Sequence, residues 1–276
     1  MVVRMTTVAI IGGGKIGEAL LAGLVAGGVH PHDIRVANRR AERGRELSNR
    51  YGVKVFTDSA EAVWHADVVF LCVKPHHIVG VLEDIRDTID SNDQETSVVS
   101  LAAGITLRAM EEALSAGTPI ARVMPNTPML VRKGVCALTP GRHLGAEQEA
   151  QIIKLLQMVG VVVPVAEKHL DAVTAVAGSS PAYMYLVVEA MIDSGIALGL
   201  DYATSRQLVE GSLAGAMAML QETGQSPAEL RANVSSPAGT TIAALRSLEE
   251  SGVRGAFFRA TDACAKRSRE IGQQMQ

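Results

Sequence analysis

Val8-Ala9-Ile10-Ile11-Gly12-Gly13-Gly14-Lys15-Ile16-Gly17 decides the fold. Four β-branched or small apolar residues run straight into G-x-G-x-x-G, and an amphipathic helical pattern opens near Ile16 and continues to Ala26. Glycines at these spacings also mark ordinary turns, so the pattern gains its meaning from standing between a strand and a helix. In that setting Gly12 permits the tight turn, Gly14 lets the backbone approach a pyrophosphate, and Gly17 lets the helix pack against the strand. The first N–H groups of the helix then face the phosphates. No GK[ST] follows, which excludes a P-loop.

Outward from this loop the same grammar repeats. Further apolar runs occur at Ile34–Ala37, Val53–Phe56, Val68–Val73, Ser97–Leu101, Ile120–Met124 and Val161–Val163. Helical patterns such as Ala41–Tyr51 and His76–Asp87 lie between them. Strand and helix in alternation predict a parallel sheet covered on both faces, an α/β doubly wound Rossmann-type domain over residues 1–164. From residue 165 to 276 strand signals vanish. Long segments at Pro181–Leu198, Tyr202–Glu222, Thr240–Glu250 and Val253–Gln274 predict an all-α domain. Pro181–Leu198 carries only Glu189 and Asp193 as charges. A helix apolar nearly all round needs burial on all sides; a second copy of the chain is the expected cover, the alternative being a central place within one bundle.

Composition narrows the function. The 276 residues carry 26 Lys and Arg against 29 Asp and Glu, and aromatics are 3%. Before residue 165 there are 17 basic and 17 acidic residues; after it, 9 and 12. Neither half has the positive excess that binds nucleic acid through phosphates, and no aromatic platform exists for stacking bases. Cys72, Cys136 and Cys264 are far apart with no metal-ligand spacing, so no metal is expected and the thiols read as free in a reducing, cytoplasmic compartment. The charge-free stretch Ala172–Val188 holds Gly178 and Pro181 and falls short of a membrane span.

The second strand ends at Asn38-Arg39-Arg40, where an NAD-selective site would carry Asp or Glu for the ribose 2′-hydroxyl. A carboxylate would repel a 2′-phosphate, whereas a guanidinium binds it with two charge-assisted bonds. NADPH is therefore the expected cofactor, with NADH also usable. Of the six arginines between Arg35 and Arg50, Arg39 and Arg40 are the phosphate candidates, and Arg43, Arg45 and Arg50 read as a solvated helix face. Val73-Lys74-Pro75 and Ala102-Ala103-Gly104 follow strands at the edge where such sheets bind ligands. Asn126, between Pro125 and Pro128, either bonds the nicotinamide amide or caps its turn.

Asn233-Val234-Ser235-Ser236-Pro237-Ala238-Gly239-Thr240-Thr241 has no charged side chain, and none follows until after Ala244. Ser236-Pro237 reads as an N-cap followed by Pro at the first helical position. A helix start with hydroxyls around it is a receptor for a small carboxylate. No histidine stands in a motif that would move a hydroxyl proton, and Lys168 and His169, beside Glu167, read as decorating a helix start. Reduction of a C=N bond, which needs little proton chemistry, fits better than reduction of a carbonyl.

Gly12–Gly17, Val73-Lys74-Pro75, Arg122–Pro128, Gly178–Tyr183 and Asn233–Thr241 together, and in this order, resemble pyrroline-5-carboxylate reductase over nearly the whole chain. The resemblance implies reduction of L-1-pyrroline-5-carboxylate to L-proline with NAD(P)H, the last step of proline biosynthesis. It also implies a Rossmann domain followed by helices interlocked in a homodimer, assembled further into a decamer. It places Ile11, Gly12, Gly13, Gly14, Lys15 and Ile16 at the pyrophosphate, and Asn38 and Arg39 at the adenosine ribose. Cys72, Val73, Lys74 and Pro75, with Leu101, Ala102 and Ala103, would flank the nicotinamide, and Asn233 would touch cofactor. Thr240 and Thr241 would hold substrate, Thr241 at the ring nitrogen, with Glu167 near substrate or proline. Two departures from the family pattern stand out: Ser180 and Ala238 each occupy a place that is usually glycine. The alternatives are an imine reductase for the six-membered homologue and a non-catalytic NADPH-binding dimer.

Overall fold

The computed structural model describes residues 6–273. Eight strands form one sheet: β1 (Val8–Ile11), β2 (Ile34–Ala37), β3 (Lys54–Phe56), β4 (Val68–Leu71), β5 (Ser97–Ser100), β6 (Ile120–Met124), β7 (Gly134–Pro140) and β8 (Gly160–Pro164). The helices beside it are α1 (Lys15–Ala26), α2 (Ala41–Tyr51), α3 (Ser59–Val63), α4 (Ile78–Asp90), α5 (Leu107–Ala113), α6 (Ala146–Leu156) and the single turn α7 (Leu170–Val173). The strand order is β3-β2-β1-β4-β5-β6-β7-β8. All neighbours are parallel except β6 and β7, which pair antiparallel.

Both faces of the sheet are covered. Alternate residues of β1 and β4 (Val8, Ile10, Val68, Phe70) pack with Leu20, Leu21 and Leu24 of α1 and Ile152 and Leu156 of α6. The intervening Ala9, Ile11, Val69 and Leu71 pack with Val63 of α3, Leu82 and Ile85 of α4, and Met110 of α5. Burial on both sides explains why these strands read as continuous apolar runs rather than alternating ones. Each such Leu or Ile contributes about 1.5–3 kcal/mol by leaving water. Strand order reverses direction at β1, so the crevice beyond the β1 and β4 carboxyl ends is the ligand position of this fold.

β7 is absent from the sequence reading. It follows a 3-10 turn (Thr127–Val131) with no helix before it, so the chain doubles back and pairs antiparallel with β6. Gly134 and Pro140 at its ends mask the apolar run between them.

The compact units divide at other places than 164/165. One comprises residues up to Ser179 together with those from Cys264 onward, and the other comprises Ser180–Ala263. Segment 165–179 belongs with the sheet because Val165 N–H donates to Leu138 carbonyl oxygen at 2.9 Å and Thr139 Oγ1 donates to Val165 carbonyl oxygen at 2.9 Å. Further along, Asn126 Nδ2 donates to Ala177 carbonyl oxygen at 3.0 Å. Ser268 Oγ, near the end of the chain, donates to Asp171 at 2.6 Å.

The second unit holds α8 (Ser180–Ala197), α9 (Tyr202–Thr223), α10 (Pro227–Asn233), α11 (Thr240–Glu250) and the first half of α12 (Val253–Gln273). In α8 only Ile192 is buried, while Tyr185 and Leu186 are 65% and 67% exposed. The helical run Glu167–Ala197 is long and apolar enough by length and composition to cross a membrane, unlike the shorter charge-free stretch taken alone.

Candidate functional site

Contacts inside the protein shape the glycine loop at Gly12, Gly13 and Gly17, and none does so at Gly14. Gly12 has φ +108°, and its N–H donates to Ala37 carbonyl oxygen at 2.9 Å. A side chain at Gly17 would fall on the Gly12 carbonyl oxygen. Gly14 differs: its φ of −75° suits any residue, and a methyl group there would meet no atom within 4 Å. Neither backbone strain nor packing in the chain requires glycine at 14, so the open space above it suits close approach of a pyrophosphate. Gly14 also starts α1 without a side-chain cap, leaving the helix N–H groups available for a pyrophosphate.

The loop is tied to the second strand and to α2. Gly13 N–H donates to Asn38 Oδ1 at 3.3 Å, and Asn38 Nδ2 donates to Arg40 carbonyl oxygen at 2.9 Å. Arg43 Nε donates to Gly13 carbonyl oxygen at 2.9 Å. Arg43 also pairs with Glu18 of α1, which receives Arg50 at 3.0 Å and the Tyr51 hydroxyl at 3.1 Å. Burial alone would raise the Glu18 pKa, but the hydrogen bonds from Arg43 and Tyr51 and the two guanidinium charges bring it below its ordinary value. Arg43, half-buried against Glu18, therefore leaves the solvated face expected of it, while Arg45 and Arg50 are exposed as expected. The spacing 43, 47, 50 puts both arginines on the helix face of buried Leu47, a signal present in the sequence.

Arg39 and Arg40 are exposed, and no carboxylate among the described residues pairs with either. Lys74 is exposed at the head of a 3-10 turn (Pro75–His77) after β4, and it too lacks a carboxylate partner. Cys72 N–H continues the β1–β4 ladder by donating to Ile11 carbonyl oxygen at 2.8 Å. Burial pushes its thiol up to about 12. Leu101 and Ala102 are buried after β5, and Ala103 is exposed. Ile11, Lys15, Ile16 and Val73 fall at the same carboxyl edge of β1 and β4. The structure thus brings these residues, with Asn38 and Arg39, to one crevice.

The Asn126 side chain makes no cap hydrogen bond to its turn. Its Oδ1 accepts from Val135 N–H at 2.8 Å and its Nδ2 donates to Ala177. It braces the loop against β7 and the segment after α7. Glu167 Oε1 accepts from Leu107 N–H at 2.8 Å and from Arg122 Nη1 at 3.2 Å, which ties the start of α5 to β6.

In the second unit, Ser236-Pro237 does not start a helix as expected. Gly239 N–H donates to Ser236 carbonyl oxygen at 3.0 Å, closing a β-turn with Pro237 second and Ala238 third. Ala238 has φ +57°, the left-handed region that a type II turn demands at that place. This reversal halts helical geometry, so α11 begins at Thr240 with Gly239 as its uncapped N-cap. A side chain at Gly239 would meet Ser236 Oγ. Thr240 and Thr241 occupy the first two helical positions, and neither hydroxyl has a hydrogen-bond partner among the described residues. Asn233 ends α10, exposed, with a 3.5 Å contact to Gln225 Oε1. No cluster of His, Cys, Asp and Glu among the described residues could hold a metal.

Residues 167–271 match the family described as pyrroline-5-carboxylate reductase dimerisation, and residues 7–104 match that of NADP oxidoreductase, coenzyme F420-dependent. The chain is 58% identical over 269 residues to the pyrroline-5-carboxylate reductase of Corynebacterium melassecola, covering 98% of this chain and 100% of that one. A solved pyrroline-5-carboxylate reductase from Coxiella burnetii superposes with a TM-score of 0.92 at 34% identity, covering 97% of this chain and 99% of that one. A Plasmodium falciparum pyrroline carboxylate reductase with NADP bound gives 0.85 at 25% identity, covering 97% and 98%. The dimerisation match spans the exposed apolar helices, so a homo-oligomer supplies the cover they lack. On sequence, fold and extent alike, the chain belongs to the pyrroline-5-carboxylate reductase family.

Proposed function

We propose that the chain reduces L-1-pyrroline-5-carboxylate to L-proline, the last step of proline biosynthesis, with the uncapped start of α11 as its substrate receptor. The observation that carries this reading is the turn Ser236–Gly239 delivering two unpartnered threonine hydroxyls and free helix N–H groups to one exposed spot. That spot lies within 12 residues, Asn233 to Ala244, that carry no charge. A helix N-terminus attracts a carboxylate, and the absence of side-chain charges leaves the substrate's own charge to decide its orientation.

Ser236, Gly239 and Thr240 hold the carboxylate, and Thr241 hydrogen-bonds the ring nitrogen. As that nitrogen passes from imine to amine, it needs one hydrogen-bond partner and a proton from solvent. No dedicated acid is required. NADPH, when bound, supplies the hydride to the C=N carbon. Gly12, Gly13, Gly14, Lys15, Ile16 and Gly17 hold its pyrophosphate, and Asn38 and Arg39 its adenosine ribose. Cys72 to Pro75 and Leu101 to Ala103 border the nicotinamide, and Asn233 makes a further cofactor contact. Asn126 braces its loop against β7, and Glu167 ties the start of α5 to β6, through the hydrogen bonds above.

The unpaired Arg39 and Arg40 favour NADPH over NADH, as does the bound NADP of the Plasmodium falciparum relative. Residues 1–164 take the dinucleotide role, and 165–276 the substrate and dimerisation roles. The assembly is a cytoplasmic homodimer, built up further into a decamer. Incubation with the cyclic imine and NADPH should form one proline per NADPH oxidised. NADPH binding with no proline formed would refute the reading.

A further inference from the structure

Arg39 Nη2 lies 3.2 Å from His77 Nε2, across the crevice between the end of β2 and the turn after β4. A guanidinium only donates, so the imidazole nitrogen must accept, and the ring is neutral with its proton on Nδ1. The groups acting on His77 are the Arg39 guanidinium opposite and the His76 ring on its own turn, the two rings 4.2 Å apart. Desolvation first, then His76 and Arg39, hold His77 below the usual imidazole value. Lys74 and Arg40 add positive charge close by in sequence, and no carboxylate among the described residues offsets it.

We propose that His77 is a specificity-determining partner of Arg39 in the 2′-phosphate receptor, taking up one proton from solvent as the phosphate binds. The inference rests on the NADPH reading above. A phosphate monoester brings close to two negative charges at neutral pH. Arg39 turns its donors to the phosphate oxygens, and Nε2, relieved of its role as acceptor, becomes a second donor. NADH has no such group and leaves the Arg39–His77 contact as it stands.

Calorimetry at pH 7.5 in buffers of different ionisation enthalpy tests this on the full-length protein, because the phosphate is then already ionised. NADPH binding should take up close to one proton per site and NADH none. NADPH Kd should rise up to tenfold per pH unit above neutrality while NADH Kd stays flat. His77→Gln keeps an acceptor for Arg39 but cannot titrate; it should abolish the uptake and narrow the NADPH preference several-fold. Unchanged uptake in that variant, no uptake in the wild type, or equal weakening of both nucleotides would overturn the proposal. Arg39→Ala separates the two readings. If it leaves the NADPH/NADH ratio unchanged, the whole corner is wrong and His77 falls with it. If it collapses the ratio while His77→Gln does nothing, only the role of His77 fails.

Discussion

The Arg43 guanidinium on α2 donates from Nε to the carbonyl of Gly13 at 2.9 Å while its other nitrogens hold Glu18 and Glu46. One side chain thus fixes the glycine loop to two helices. Arg43 faces no 2′-phosphate in this account, so its loss should weaken both nucleotides alike. We expect Arg43→Ala to raise the Kd of NADPH and of NADH by a similar factor, about tenfold, as befits a hydrogen bond from a charged donor. Titration by nucleotide fluorescence checks it. Selective loss of NADPH would make Arg43 part of the phosphate receptor.

Thr241 acts on the nitrogen as it changes hybridisation, so Thr241→Ala should lower kcat and kcat/KM together, by about 10–100-fold. A rise in KM at constant kcat would reduce it to uniform substrate binding. Thr240→Ala, acting on the carboxylate, should move KM instead.

Ala238 holds φ +57° where the turn asks for a left-handed residue. An L side chain there costs about 1–2 kcal/mol, part of which glycine returns to the unfolded chain as entropy. Ala238→Gly should leave the thermal midpoint level or slightly higher, and Ala238→Val should lower it by several degrees. Calorimetric melts of both variants decide the matter.

The thiols of half-buried Cys72 and buried Cys136 make an alkaline prediction. Cys72 and Cys136 are pushed up to about 12 and about 11 from an ordinary 9.0. In the unfolded chain they ionise near 9, while the folded protein keeps them protonated. Stability from this source is intact below pH 9 and falls as pH climbs toward 12. At pH 8 neither thiol should react with iodoacetamide until denaturant is added. Urea melts at pH 7 and pH 10 should show a smaller alkaline loss in Cys72→Ala than in the wild type.

Much of this was legible in the residues. β1 and α2 are fixed by pattern alone, because burial on both sheet faces leaves continuous apolar runs and Leu47 anchors a regular helical face. β7 was hidden: glycine and proline bound it, and antiparallel pairing after a 3-10 turn breaks the strand–helix alternation. The Ser236-Pro237 pair misleads because proline suits both the second place of a β-turn and the first turn of a helix. Only the φ of Ala238 separates them, and the sequence does not display it. The attachment of segment 165–179 to β7 runs through backbone carbonyls of residues far apart in sequence, which no pattern along the chain displays. Arg39 and His77 stand 38 positions apart, and only the fold of β2 against β1 and β1 against β4 brings them together.

The central claim is best tested by steady-state oxidation of NADPH and of NADH with the five-membered imine carboxylate and with its six-membered homologue. One methylene shifts selectivity by about 1–3 kcal/mol. The account predicts proline formation at 10- to 100-fold higher kcat/KM for the smaller ring, with NADPH ahead of NADH. Faster turnover of the larger ring, or tight NADPH binding with neither imine reduced, would contradict it.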